Sequence, residues 1–218
     1  MVAMLISSPF PQADIRPPLM QVQGLCGGPG DLCLFKDLEM SIPPGVSALL
    51  GDEGSGKTTL LRLLSGDLPM QSGQIGVLGV GLPSPALLQG DVFWMDLRLP
   101  EHDENTPGQC WAALARLWPD WSEDAQQSGC EALQLTPHLD KRLNMLSTGS
   151  RRKVGLVAAL ASGATVTLLD QPFVSLDQAS IRVLQAMLND TYRDAQRACL
   201  IADYEPPMHM PLAAVFQL

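Results

Sequence analysis

The sequence predicts an α/β fold with a mainly parallel sheet, an N-terminal antiparallel β lobe and an inserted α-helical subdomain. Three observations predict it. A glycine-rich loop, GDEGSGKTT at residues 51–59, follows the aliphatic run VSALL and leads into LLRLL, so that strand, turn and helix succeed one another. Short alternating segments punctuated by Pro and Gly precede that loop, and apolar residues at helical spacing fill the middle of the chain. Beyond residue 146, apolar runs of strand length alternate with helical patterns, which is the arrangement of a parallel sheet.

Taken in order, residues 1–18 read as a loose extension. Met4-Leu5-Ile6 has no basic flank or cleavage site, and prolines at 9, 11, 17 and 18 interrupt it. Residues 19–218 form a single domain, and its first part, residues 19–91, is a β lobe with the loop core. There Leu19-Met20-Gln21-Val22 and Met40-Ser41-Ile42 read as strands between the turns at Gly27-Gly28-Pro29-Gly30 and Pro43-Pro44-Gly45. The helix after the loop stops at Ser65-Gly66, and residues 71–77 give another turn and strand. Residues 92–150 are the helical subdomain, carrying all four tryptophans, Trp94, Trp111, Trp118 and Trp121, as core packing or as a docking face. In residues 151–218, a serine-capped helix starts near 147, a buried strand ends in Asp170, a helix covers 181–188, and strands lie at 199–202 and 214–218.

Composition narrows the function classes. The 46% hydrophobic content suffices for a core in one domain or two closely packed lobes. A net charge of −9, with 14 Lys and Arg and only the short cluster Arg151-Arg152-Lys153, argues against a nucleic-acid surface. The five cysteines sit at no C-x-x-C or zinc-like spacing, which fits reduced thiols and a cytoplasmic chain. The longest apolar region, residues 154–169, is interrupted by Gly155, Ser162, Gly163, Thr165 and Thr167 and is too short to span a membrane.

The chemistry is concentrated in the loop. Without a Cβ, Gly51, Gly54 and Gly56 can adopt φ > 0 and turn backbone N–H groups toward an anion. The following helix adds its positive dipole end. Lys57 can reach β- and γ-phosphates as a mobile point charge, and the Thr58 hydroxyl can ligate Mg²⁺. Gly51, Asp52, Glu53, Gly54, Ser55, Gly56, Lys57, Thr58 and Thr59 are therefore the candidate residues for a nucleoside triphosphate.

Three further pieces follow in order: Leu146-Ser147-Thr148-Gly149-Ser150, then Thr167-Leu168-Leu169-Asp170-Gln171-Pro172, then Ser175-Leu176-Asp177. Together with the loop they resemble the ATP-binding cassette ATPases: a Walker A loop, an LSGGQ-type signature, a Walker B strand and a D-loop on a P-loop NTPase (RecA-like) core. The resemblance covers residues 19–218. It implies that Asp170 holds the Mg²⁺ shell and that Ser147 and Gly149 present hydroxyl and N–H groups to the γ-phosphate of ATP on a second subunit. A head-to-tail dimer with Asp177 at its seam is implied as well. The family's partner is a membrane-spanning permease subunit on a separate chain, through which this chain would sit peripherally at the inner face of the cell membrane.

Several positions depart from the family pattern. Gln171 stands where the general-base glutamate is expected, and Tyr204 where the switch histidine is; neither His138 nor His209 fits that slot. An amide orients water but takes no proton, and tyrosine is a poor proton carrier near neutral pH. The glutamine joining the core to the helical subdomain aligns with Trp94 or Met95, with Gln89 as a shifted substitute. Residues 26–30 offer no aromatic for stacking on adenine, which leaves Phe35. The signature reads LSTGS, with Thr148 and Ser150 replacing glycine and glutamine. Gln171, Tyr204 and Lys57 are the candidate catalytic residues. The expected function is an ATPase subunit, slow because of Gln171, that drives a separate membrane subunit as part of a homo- or heterodimer. The alternative is a nucleotide-binding but hydrolytically weak regulatory or silent half of a heterodimer. A P-loop kinase or GTPase would leave the signature and the D-loop unexplained.

Overall fold

A computed structural model describes residues 5–6, 17–77, 90–96, 100–193 and 196–218. The chain divides into two units. One takes in the described residues up to Trp94 together with Thr165–Gln171 and Thr191–Leu218, and the other is Met95–Ala164 with Pro172–Asp190. The helical unit thus includes residues 151–164 and 172–190, beyond the stretch 92–150 expected from the tryptophan-rich region.

In the first unit the strands are β1 (Leu5–Ile6), β2 (Met20–Gly27), β3 (Phe35–Ile42), β4 (Gly45–Leu50), β5 (Ser72–Val77), β6 (Val92–Phe93), β7 (Val166–Asp170), β8 (Ala198–Asp203) and β9 (Ala214–Gln217). β2 is buried at alternate positions over most of its length, as expected for an antiparallel strand with one solvated face. It pairs antiparallel with β3 on one side and β5 on the other. By contrast β4, β7 and β8 are nearly continuous buried runs, because a parallel strand is covered on both faces.

These runs belong to a six-stranded sheet of order β1-β9-β4-β8-β7-β6. It is parallel apart from the pairing of Leu5–Ile6 with β9, which ties two residues of the expected loose extension to the sheet edge. In register, Leu50 stands opposite Asp203 and Asp170 opposite Ala202, so the carboxyl ends of β4, β8 and β7 finish level. The crevice beyond those ends is where ligands sit on open α/β sheets.

Helix α1 (Lys57–Ser65) follows β4 and buries Leu60, Leu61, Leu63 and Leu64 against the same core as Leu49, Leu168, Leu200 and Phe216. Gly66, at φ 78°, ends it in the left-handed region. Leu64 is fully buried, so Leu64→Ala should lower the stability measured by urea unfolding by about 2–5 kcal/mol. A loss below about 1 kcal/mol would contradict this packing.

The second unit is helical: α2 (Pro107–Ala115), α3 (Glu123–Ala132), α4 (Thr148–Ala161) and α5 (Gln178–Thr191), the last ending in the first unit. Thr106 and Gln109 form a capping box at the start of α2, and Ser122 caps α3. Trp111 is a core residue, with its indole N–H donating to the Val154 carbonyl at 3.0 Å. Trp118 and Trp121 are half-buried. The expected helix over 181–188 starts earlier because Asp177 accepts from the Ser180 N–H at 2.8 Å, which caps α5. Among the described residues no helix is long and apolar enough to cross a membrane.

Candidate nucleotide-binding site

The loop between β4 and α1 is a tight backbone turn whose glycines serve distinct ends. Gly56, at φ 101°, combines a left-handed conformation with close neighbours, since a Cβ there would stand 2.9 Å from Leu34 Cδ2 and 3.0 Å from Phe35 Cζ. Gly54, at φ 76°, faces open space and needs glycine only for its backbone. The Ser55 N–H donates to the Asp52 carbonyl at 3.2 Å, while the buried Ser55 Oγ has no hydrogen-bond partner. No side chain caps α1, so its first-turn N–H groups remain available to an anion.

Lys57 is 6% exposed, and its Nζ donates to the carbonyls of Gly51 at 2.5 Å and Asp52 at 2.9 Å. The Tyr204 ring covers the same ammonium, with its centroid 4.5 Å away. The Thr58 hydroxyl donates to Asp170 Oδ2 at 2.7 Å, joining residues far apart in the chain. Gln171, at φ 47°, is held by its N–H to the Ala202 carbonyl at 2.8 Å. Lys57, Thr58, Asp170, Gln171 and Tyr204, all five of them candidate site residues in the sequence, thus lie at the carboxyl ends of β4, β7 and β8. The contact between Tyr204 and Lys57 carries no local sequence signal, because β4 and β8 are neighbours only through the sheet.

The site fits a magnesium nucleoside triphosphate. The loop offers unfilled N–H groups, an orphaned hydroxyl and a cation, and the Thr58–Asp170 pair would supply oxygen ligands of the kind Mg²⁺ takes. Phe35, considered for stacking on adenine, is fully buried behind Gly56 and presents no face to a ligand. It is out of phase with Leu38, Met40 and Ile42, and it turns inward because the register shifts between the Leu25–Leu38 and Gly27–Phe35 pairs, with Asp37 at φ 52°. Trp94 and Met95 are half-buried, and Gln89 lies outside the described residues.

In the helical unit, Ser147 is exposed and caps α4: its Oγ accepts from the Ser150 N–H at 3.1 Å and donates to Ser150 Oγ at 3.0 Å. Gly149 leaves room for the Ser175 carbonyl, which a Cβ would strike. That contact is an intrachain reason for glycine in the signature segment. Asp177 also accepts from the Ser180 hydroxyl at 2.9 Å and lies 3.6 Å from Lys153 Nζ. The Ser180 N–H, followed by its hydroxyl, holds the Asp177 carboxyl at about 2.

The family model described as ABC transporter matches residues 35–174. The chain belongs to the ABC transporter family. ABC ATPases bind ATP, generally with Mg²⁺, and hydrolyse it. The matched stretch of this ABC chain includes the loop, the signature segment and Asp170-Gln171, and it ends before Tyr204. The cytochrome c biogenesis ATP-binding export protein of Nitrosococcus oceani is 32% identical over 182 residues, covering 81% of this chain and 82% of the relative. The taurine import ATP-binding protein of Pseudomonas fluorescens is 29% identical over 173 residues, covering 79% of this chain and 66% of the relative. Among solved structures, an ABC transporter ATP-binding protein from Pyrococcus furiosus superposes with a TM-score of 0.70 at 23% identity, covering 88% of this chain and 94% of that one. That likeness shows the fold. ATP-binding subunits of both export and import systems are thus among the relatives of this ABC chain.

Proposed function

We propose that the chain is an ABC-type ATP-binding subunit that binds MgATP at residues 51–59 and dimerises head-to-tail. In this reading it couples ATP binding and slow hydrolysis to a separate membrane-spanning subunit and sits peripherally at the cytoplasmic face through that partner. The observation carrying the reading is the Thr58 Oγ1 to Asp170 Oδ2 hydrogen bond of 2.7 Å, with Lys57 beside it at the mouth of the loop. Gly51, Asp52, Glu53, Gly54, Ser55 and Gly56 shape a backbone cradle for the phosphates. Thr59 continues the first turn of α1 beneath them. Lys57 would exchange its two carbonyl partners for phosphate oxygens, and Thr58 and Asp170 would hold the cation. When bound, the cation would supply charge neutralisation to the phosphates. Ser147 and Gly149 of one chain face the γ-phosphate held by a second, and Asp177 lies at the seam. Gln171 orients the attacking water and leaves its proton in place.

This reading is tested by sedimentation of the purified chain with and without MgATP. A dimer that forms only with MgATP and outlasts many minutes is expected. A chain that stays monomeric at saturating MgATP would count against the composite sites.

Tyr204 bears on the same binding step. Its ring competes with phosphate for the Lys57 ammonium, an interaction of about 0.5–1 kcal/mol at a partly exposed site. Tyr204→Ala should therefore tighten ATP binding about two- to fivefold by calorimetry, whereas Tyr204→Phe, which keeps the ring, should leave it unchanged. Weaker binding in the alanine variant would instead make the tyrosine a ligand-holding residue.

A further inference from the structure

The hairpin between β2 and β3 sets Cys26 and Cys33 against the same short stretch of backbone. Cys26 lies near the end of β2 opposite Ser72 of β5, and its Sγ accepts from the Asp37 N–H at 3.3 Å. Cys33 lies on the loop closed by the Gly27–Phe35 pair, with its thiol donating to the Phe35 carbonyl at 3.0 Å, so both sulfurs lie against the backbone of residues 35–37. Both cysteines are partly exposed, whereas Cys110, Cys130 and Cys199 are buried.

The surroundings separate the two groups chemically. The Ser72 hydroxyl, followed by the Asp37 N–H, holds the Cys26 thiol below its ordinary value, while burial pushes those of Cys110, Cys130 and Cys199 up. Thiolates are the nucleophiles of disulfide exchange, so attack is favoured at Cys26. Among the described residues no group of three or more His, Cys, Asp or Glu side chains could hold a metal ion.

We propose that Cys26 and Cys33 form a thiol–disulfide site, oxidised by a low-molecular-weight disulfide, whose closure weakens nucleotide binding at the adjacent loop. The Cys26 thiolate attacks one sulfur of the small disulfide, forming a mixed disulfide and releasing a thiolate that takes up the Cys26 proton. Cys33, deprotonated in turn, attacks Cys26 Sγ. The internal S–S bond forms, and the second small thiolate leaves and takes up the Cys33 proton. Two protein thiols are oxidised and one small disulfide is reduced to two thiols.

The consequence for binding rests on the proposed function. Leu34, next to Cys33, and Phe35 form the wall against Gly56, so drawing Cys33 onto β2 disturbs the turn that holds the phosphate loop.

The test incubates the full chain in glutathione redox buffers, then alkylates free thiols and weighs the proteolytic fragment carrying both cysteines. An unlabelled fragment lighter by two hydrogens is expected, with Cys110, Cys130 and Cys199 still reduced. ATP affinity by calorimetry should fall about fivefold or more in the oxidised chain and return on reduction. Cys33→Ser should stop at a glutathione adduct on Cys26. Free thiols throughout, a persistent adduct with both cysteines present, or a disulfide-bonded chain with unchanged ATP affinity would each overturn the proposal. A reduced chain that binds no ATP would contradict the nucleotide reading instead, and the mass of the fragment would then decide the disulfide by itself.

Discussion

Lys57→Ala is expected to weaken ATP binding by about 10²–10⁴-fold, the loss of two charge-assisted hydrogen bonds to phosphate at about 1.5–3 kcal/mol each. The size of the effect follows from where the ammonium sits. It is 6% exposed and already donates to the carbonyls of Gly51 and Asp52, so it is held at the loop before any ligand arrives. Little side-chain entropy is then lost on binding. Removing it also leaves those carbonyls without a donor, and the variant's unfolding midpoint must be compared with that of the unmodified chain. Calorimetric titration with MgATP reads the affinity directly. Unchanged affinity in a folded variant would show that nucleotide, if bound, is held elsewhere.

Gln171→Glu is expected to raise the single-turnover rate of ATP hydrolysis by about 10²–10⁴-fold, the contribution of a positioned general base. The backbone already presents this side chain, because Gln171 follows the last residue of β7 and its N–H is fixed to the Ala202 carbonyl at 2.8 Å. The substitution changes an amide to a carboxylate of the same length and leaves φ at 47°, a conformation equally strained for either residue. The variant's rate should fall in acid as the new carboxylate is protonated, a dependence the unmodified chain lacks. If the two chains turn over equally fast, Gln171 does not limit hydrolysis. The outcome bears on the slow rate alone and leaves the binding reading untouched.

Local chemistry was legible in the sequence, and long-range placement was not. The β4–loop–α1 unit could be read because VSALL, the glycines and LLRLL each specify their own backbone. Ser147 as a helix cap and the buried run ending in Asp170 were readable for the same reason. The sheet order that sets β4 between β8 and β9 is a matter of nonlocal pairing, so the position of Tyr204 over Lys57 had no local mark. Cys26 and Cys33 read only as two of five reduced thiols, because a hairpin and a bulged strand, rather than C-x-x-C spacing, set them against residues 35–37. The pattern D-x-x-S at Asp177 and Ser180 could have shown where α5 starts, since aspartate is a strong N-cap. Glycine at 149 answers to the Ser175 backbone, a contact that no spacing rule announces.

The identity of the nucleotide that stays on the unmodified chain tests binding and slow hydrolysis together. The chain is mixed with labelled ATP and Mg²⁺, freed of unbound nucleotide within minutes, denatured, and the released label separated. Retained label that is chiefly ATP is expected, with none retained by Lys57→Ala. Retained label that is already ADP would contradict the role given to Gln171, and no retained label at any protein concentration would contradict the site itself.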